Sequence, residues 1–248
     1  MLLELFKKKR NIPDLDFSSL KVDMHSHLIP GIDDGAQTME DSLVLLRRLS
    51  ELGYKKVITT PHVMADFYRN TPEIINNGLE LLKKELVRNN INIEIEASAE
   101  YYLDEAFEVK LEKETILPLG ENYLLFELSF INYPQSFFEI VEKIKAKGYK
   151  PILAHPERYG YLGGAIENYE RIKKAGCDLQ LNVLSLTGYY GKQCQRVAEE
   201  LVANQLIDFL GTDLHHHKHA DMLFSALNTS STLKKLLAGY PLKNSTLL

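Results

Sequence analysis

The sequence predicts an α/β fold of the barrel type, and three observations carry that expectation. Seven short runs rich in Val, Ile, Leu and Phe alternate with amphipathic stretches. No linker or composition break interrupts them, so the 248 residues are expected to form one main domain. The histidines and carboxylates fall at the ends of the apolar runs, where barrels of this class place their active sites.

The strand candidates are 21–27, 56–62, 91–101, 123–129, 150–155, 178–184 and 207–213. Helix signals lie between them. Thr38 can cap a helix beginning near Met39, with Asp41 as its capping-box partner and Leu43, Leu46 and Leu49 on one face. Thr71-Pro72-Glu73 is a second start, with Pro72 at the first helical position. Gly53, Gly148 and Gly176 follow helical runs and suit C-terminal caps.

Composition narrows the function. The net charge of -5 lacks the basic excess of a nucleic-acid binder, so no nucleic-acid partner is expected. Cys177 and Cys194 are too few for a disulfide framework, which points to a reducing cytoplasm. No run approaches the ~18 apolar residues of a membrane helix. Lys7, Lys8, Lys9 and Arg10 could make a weak contact with an acidic membrane surface; a solvated tail is the simpler reading.

The reactive residues come in a series. His25 and His27 stand at i and i+2, which on a strand aims both imidazoles the same way, although an isolated HxH is unspecific. Asp33-Asp34 in PGIDDG serves either as turn chemistry or as a source of one carboxylate over the site. His62 follows Thr59-Thr60-Pro61; a core histidine held by a backbone hydrogen bond is the plain alternative. Glu100 and Glu127 interrupt apolar runs, and a buried carboxylate needs a counter-charge, although Glu100 could also be a solvated strand end. His155 opens HPERY, where Arg158 can grip phosphate bidentately or pair with Glu157. Asp213 and His215 close the series, and His216, His217 and His219 follow as loop residues.

This imidazole and carboxylate set, free of thiolate, suits Mn²⁺, Fe or Zn²⁺. A cysteine phosphatase fits worse, because it needs an arginine six positions after the thiolate, where Cys177 and Cys194 have Val183 and Glu200. The phosphate-loop, dinucleotide and GxSxG motifs are absent from the sequence.

The segments DMHSHLIPGIDDG, TTPH, AEYY, FEL, AHPERY and GTDLH together resemble the PHP-type (polymerase and histidinol phosphatase) metal phosphoesterases. Within them the chain is similar to the bacterial protein-tyrosine phosphatases of capsule and exopolysaccharide systems, the CpsB and YwqE type. The resemblance implies a distorted (β/α)₇ TIM-like barrel over 21–248 behind an N-terminal extension, 1–20. It implies two or three divalent ions, Mn²⁺ first and Fe or Zn²⁺ next. His25, His27 and Asp213 would hold one ion, with Glu127 bridging to a second. Glu100 and His155 would complete the second site, and Asp34, His62 and His215 the third. Arg158, His155 and Asp213 would be the catalytic residues, with Arg158 on the phosphate. The family often carries another arginine after the last DxH; here Lys218 or His219 stands in that stretch.

The implied reaction is hydrolysis of phosphotyrosine on a protein, such as a bacterial tyrosine autokinase, by a metal-activated hydroxide. A phenol of pKa ~10 is a fair leaving group. Three divalent ions against Asp34, Glu100, Glu127 and Asp213 leave roughly two positive charges, matching a phosphate monoester. A small-molecule phosphomonoesterase of the histidinol-phosphatase kind and a non-catalytic, metal-stabilised scaffold are the alternatives.

Overall fold

A computed structural model describes residues 15–113 and 115–248; the basic run 7–10 lies outside the described residues. The chain alternates strands and helices throughout. In order they are β1 (Val22–Asp23), α1 (Met39–Glu51), β2 (Lys56–Thr59), β3 (His62–Val63), α2 (Pro72–Arg88), β4 (Glu94–Ala97), β5 (Glu100–Tyr102), α3 (Glu105–Glu112) and β6 (Tyr123–Glu127). Then come α4 (Phe137–Ala146), β7 (Lys150–Ala154), α5 (Ile166–Lys174), β8 (Asp178–Asn182), α6 (Lys192–Ala203), β9 (Phe209–Gly211), α7 (His217–Thr229) and α8 (Ser231–Gly239).

All strand pairings are parallel, in the orders β1-β2-β4 and β3-β5-β6-β7-β8-β9. A parallel bridge between Ser26 and Leu214 joins the two ends. The result is a distorted (β/α)₇ barrel whose second and third strand tracks are each broken in two. The expected strand 56–62 becomes β2 and β3, and 91–101 becomes β4 and β5. Pro61 lies in the first break and has no N–H to donate to a ladder. The breaks are stitched by bonds from Thr60 N–H to Ser26 O (2.7 Å), Ser98 N–H to Thr59 O (2.9 Å) and Glu100 N–H to Pro61 O (3.1 Å).

The helix ends follow their sequence signals. Thr38 and Asp41 form the capping box, and Thr71 caps α2 with Pro72 at its start. Gly53, Gly148 and Gly176 follow the C-caps of α1, α4 and α5 at φ of 102°, 84° and 87°, a left-handed region where side chains are strained.

Two apolar layers result. Leu124, Phe126, Leu153, Leu179 and Leu181 face outward to the helices. Val22, Met24, Ile58, Leu125, Ile152, Ala154 and Phe209 fill the barrel, with Leu119 and Leu247. Near the C-terminus, Asn244 donates to Val22 O and Leu210 O and accepts from Leu210 N–H, holding β1 and β9 together. Phe17 and Leu20, within the expected extension, are buried, and Phe17 stacks on Tyr54.

Candidate metal centre

Alternation along the strands carries the polar residues into the barrel mouth. Glu127 lies two residues beyond the interior Leu125, and Gln180 and Asn182 share the inward register of β8. Asp213 follows Gly211 across the seam, where its N–H donates to His25 O at 2.8 Å. Asp23 fixes that seam by accepting from Thr212 N–H (3.0 Å) and Thr212 Oγ1 (2.8 Å). His155 and Asp213 adopt positive φ, 32° and 51°. For non-glycine residues this costs of order 1–3 kcal/mol, and here it turns each strand end into the mouth.

The structure brings His25, His27, Asp34, His62, Glu100, Glu127, His155, Asp213 and His215 together. Their donor atoms fall into four groups, each close enough to surround one metal ion. The groups are His27-Asp34-His62-His215, His25-Glu100-His155, His25-His27-Asp213 and His62-Glu100-Glu127. A cavity of about 350 Å³ opens over them.

The histidine rings are oriented from behind. His25 Nδ1 lies 2.8 Å from Gln180 Oε1, and the Gln180 amide nitrogen donates to Leu181 O, which fixes the amide. His27 Nδ1 lies 2.8 Å from Asp33 Oδ2, and His215 Nδ1 lies 2.9 Å from Asp213 O. Each partner accepts, so Nδ1 carries the proton and Nε2 of the neutral ring is left with a lone pair facing the centre. The Nε2 atoms of His25 and His27 are 3.3 Å apart. Two lone pairs at that distance repel unless a cation lies between them.

Glu100, fully buried, is the hub. Its Oε2 lies 3.2 Å from His25 Nε2, 3.5 Å from His27 Nε2 and 3.2 Å from His62 Nδ1, yet it hydrogen-bonds to none of them. Its Oε1 meets His155 Nε2 at 3.0 Å. Glu127 approaches His62 Nδ1 (3.2 Å) and His155 Nε2 (3.9 Å) instead. The carboxylate beside the His25-His27 pair is therefore Glu100, whereas the resemblance put Glu127 in the bridging place.

Electrostatics reinforce the geometry. Burial disfavours charge on His25, but Glu100 and Asp213 outweigh it and raise its pKa to about 9. Burial likewise opposes charge on His62, and Glu100, Glu127 and Asp34 overcome it, raising the pKa to about 10. Against burial, His215, His62 and His27 draw Asp34 down to about 2. A pocket that concentrates carboxylates so strongly attracts positive charge.

Arg158 reaches the mouth, with Nη1 3.0 Å from Asp213 Oδ2. Its guanidinium lies between the rings of Phe130 (4.8 Å) and Tyr190 (4.3 Å). Glu157 turns away and accepts from Ser185 and from Asn182 N–H, so the local Glu157-Arg158 pair does not form. The residues expected in a loop after His215 instead start α7. His216 is its N-cap, accepting from His219 N–H, and His217 bonds Asp41. His216 and His219 line the cavity. His219 is tied to Tyr189 Oη at 3.1 Å, and Lys218 lies 5.5 Å above the Tyr189 ring, outside the cavity lining.

Asp33, Gln180, Asn182, Phe130 and Tyr190 were not singled out for these roles. The polar residues at alternate positions in Asp178-Leu179-Gln180-Leu181-Asn182 are a readable signal for an inward-facing polar row. Phe130 and Tyr190 carry none; they meet Arg158 only through the fold.

A family model described as capsular polysaccharide synthesis, CpsB/CapC, matches residues 21–232. Tyrosine-protein phosphatase YwqE of Bacillus subtilis is 30% identical over 79% of this chain and 78% of its own. Tyrosine-protein phosphatase CpsB of Streptococcus pneumoniae is 29% identical over 79% of this chain and 83% of its own. The crystal structures of YwqE from B. subtilis and CpsB from S. pneumoniae, described as unique metal-dependent tyrosine phosphatases, include a chain that matches at a TM-score of 0.76 and 27% identity, covering 89% of this chain and 94% of that one. A Listeria monocytogenes lactonase matches in fold alone, at a TM-score of 0.57 and 13% identity. The chain belongs to the CpsB/CapC family of capsular polysaccharide synthesis.

Proposed function

We propose that this protein is a metal-dependent protein-tyrosine phosphatase acting on a phosphotyrosine protein, a bacterial tyrosine autokinase of polysaccharide export in particular. The observation that carries the metal-dependent chemistry is the arrangement of His25 and His27. Both rings have Nδ1 committed to an acceptor, and both Nε2 lone pairs converge beside the unbonded Oε2 of Glu100. The names of the relatives supply the substrate.

His25, His27 and Asp213 would hold one divalent ion, and Glu100 would share it with a second held by His155 and Glu127. Asp34, His62 and His215 would hold a third. Mn²⁺ fits this nitrogen and oxygen donor set, at two or three ions per chain. Such ions, when bound, supply water activation and neutralise phosphate charge. Arg158, braced by Phe130 and Tyr190, would bind the non-bridging phosphate oxygens bidentately as the phenolate leaves. Gln180 and Asp33 keep the imidazoles in register. Two free, buried cysteines fit a reducing cytoplasm. Among the described residues no helix is long and apolar enough to cross a membrane.

The test is hydrolysis of a phosphotyrosine peptide, histidinol phosphate and single-stranded DNA, with chelator and after Mn²⁺ add-back. Chelator-sensitive turnover that favours the peptide is expected. Turnover indifferent to chelator, or fastest on histidinol phosphate, would overturn the assignment.

A further inference from the structure

A second hollow of about 250 Å³ lies beside the metal centre, lined by Tyr133, Phe138, Tyr161, Leu162, Asn168 and Arg171 together with Ile172. One side of it comes from segments on the barrel face that carries the centre; the other is helical, with Phe138 on α4 and Asn168, Arg171 and Ile172 on α5. Tyr133 belongs to the segment after β6, and Tyr161 to the one after β7. A ladder of rings joins the two hollows. Phe130, which lines the metal-centre cavity, contacts Tyr159 at 5.4 Å between centroids. Tyr159 stacks on Tyr161 at 5.7 Å and 8°, and Tyr161 meets Tyr133 edge-on at 5.7 Å. Tyr161 Oη donates to Ser129 O, which fixes the segment between the hollows.

The chemistry of the second hollow is specific. Arg171 is exposed and lies 5.4 Å above the Phe138 ring. Among the described residues it forms no ion pair with a carboxylate, unlike Arg48, Arg88 and Arg158. An arginine braced on an aromatic ring has its donor fork preorganised, so less freedom is lost when it captures an anion. Beside the same ladder, Phe130 is 46% and Ile131 82% exposed, giving an apolar ridge between the two hollows. The three ring steps place Tyr133 within about 17 Å of Phe130. An extended chain covers that span in roughly five residues.

We propose that this hollow is a subsite for the peptide flanking the phosphotyrosine, with Arg171 receiving an aspartate or glutamate of that flank. The proposal rests on the phosphatase reading for its first anchor. An extended substrate would seat its phosphotyrosine over the metal centre, cross the Phe130-Ile131 ridge and place its acidic side chain between Phe138 and Asn168. The unpaired guanidinium of Arg171 gives this aromatic hollow a positive charge, so charge complementarity selects an acidic flank over a neutral or basic one.

The test compares phosphotyrosine peptides with glutamate, glutamine or lysine placed in turn at each flanking position from two to about eight, and p-nitrophenyl phosphate as the small aryl substrate. The glutamate peptide should exceed the glutamine peptide in kcat/KM by roughly tenfold, mainly through KM, as befits one charge-assisted bond. Arg171→Ala should remove that preference and lower the ratio of kcat/KM on the glutamate peptide to that on p-nitrophenyl phosphate. Arg171→Glu should transfer the preference to the lysine peptide. Equal kcat/KM for the three peptides, or an Arg171→Ala variant that keeps the glutamate preference, overturns the subsite. Binding of the same peptides carrying a non-hydrolysable phosphonomethyl group, followed by fluorescence anisotropy, separates the two readings. A glutamate preference lost in Arg171→Ala, without hydrolysis of any substrate, supports the subsite and removes the phosphatase assignment.

Discussion

Replacing Gln180 by methionine isolates the ring-orienting step from the ligands themselves. Gln180 is fully buried, and its Oε1 is the acceptor that holds His25 Nδ1–H at 2.8 Å. Methionine keeps nearly the same length and volume but offers only a weak sulfur acceptor. The His25 ring then either leaves a buried N–H unpaired, at about 1–3 kcal/mol, or moves its proton to Nε2 and blocks the ligand atom. Loss of such an orienting partner typically weakens metal binding by about 10–100-fold, or roughly 1.4–2.7 kcal/mol. Space gives no escape, because Gly211 closes the back of the site. A Cβ there would lie 2.6 Å from Gln180 Nε2 and 2.8 Å from His25 Cβ. The assay is Mn²⁺ titration of phosphatase activity, with calorimetry of Mn²⁺ binding alongside. Half-activation should move at least tenfold upward in Gln180→Met and recover in Gln180→Glu, whose carboxylate again accepts from Nδ1. Superimposable titrations for wild type and Gln180→Met would refute the claim that the ring is set from behind.

Three further expectations concern the scaffold. Gly35→Ala should destabilise the protein by about 1–3 kcal/mol in urea unfolding and weaken Mn²⁺ binding, since its Cβ would sit 2.1 Å from His27 O; an unfolding midpoint equal to wild type would contradict this. Asn244→Ala breaks three buried hydrogen bonds across the β1-β9 seam and should cost about 3 kcal/mol, lowering the melting temperature by roughly 6–12 °C. An unchanged melting curve would show that the seam holds without it. Asp208, paired with Lys173 and Lys243 and accepting from Leu179 N–H, has its pKa lowered from 3.8 by these partners, which overcome its burial. Its stabilisation is therefore complete above the unfolded value and is lost as pH falls below it through the folded one. Asp208→Asn should lower stability at pH 7 and flatten the acid limb of stability against pH, and a parallel limb in the variant would exclude Asp208 as a contributor.

The barrel was legible because its strands are buried on both faces and therefore read as apolar runs. Helix boundaries were legible from Thr38, Thr71 and the left-handed glycines, since these satisfy backbone groups locally. The broken tracks at Thr60-Pro61 and Ser98-Ala99 were not, because 56–62 and 91–101 remain continuous in hydropathy and the break depends on which neighbour supplies each hydrogen bond. For the centre, the series from His25 to His215 was legible as residues at strand ends. The sharing of carboxylates was not. Glu100 and Glu127 have the same chemistry in sequence, and only the register of Glu100 with Leu125, one strand over, puts Glu100 beside His25 and leaves Glu127 toward His62. Arg158 presented the same ambiguity. Glu157 is its sequence neighbour, but the buried Ser185 and Asn182 claim that carboxylate and free the arginine for Asp213.

The boundary inside the barrel explains why the charged layer sits where it does. Below it, Val22, Ile58, Leu125, Ile152 and Phe209 make a dry plug. Above it, Glu127 continues the inward row of Leu125, and positive φ at His155 and Asp213 turns those side chains into the mouth, joined by His25 and Glu100. Buried carboxylates in that position are costly unless matched by cations, by several kcal/mol each. Asp33, Glu100, Glu127 and Asp213 are all buried, and among the described residues the guanidinium paired with one of them is that of Arg158, on Asp213. The imidazoles of His25 and His62 respond with raised pKa values, drawn up by those carboxylates against the opposing effect of burial. A divalent ion satisfies the carboxylates and the Nε2 lone pairs at once, which a proton shared between two facing imidazoles cannot do. The apolar plug thus serves the chemistry directly: it keeps water from screening the carboxylates from below, so their field acts on whatever enters from the mouth.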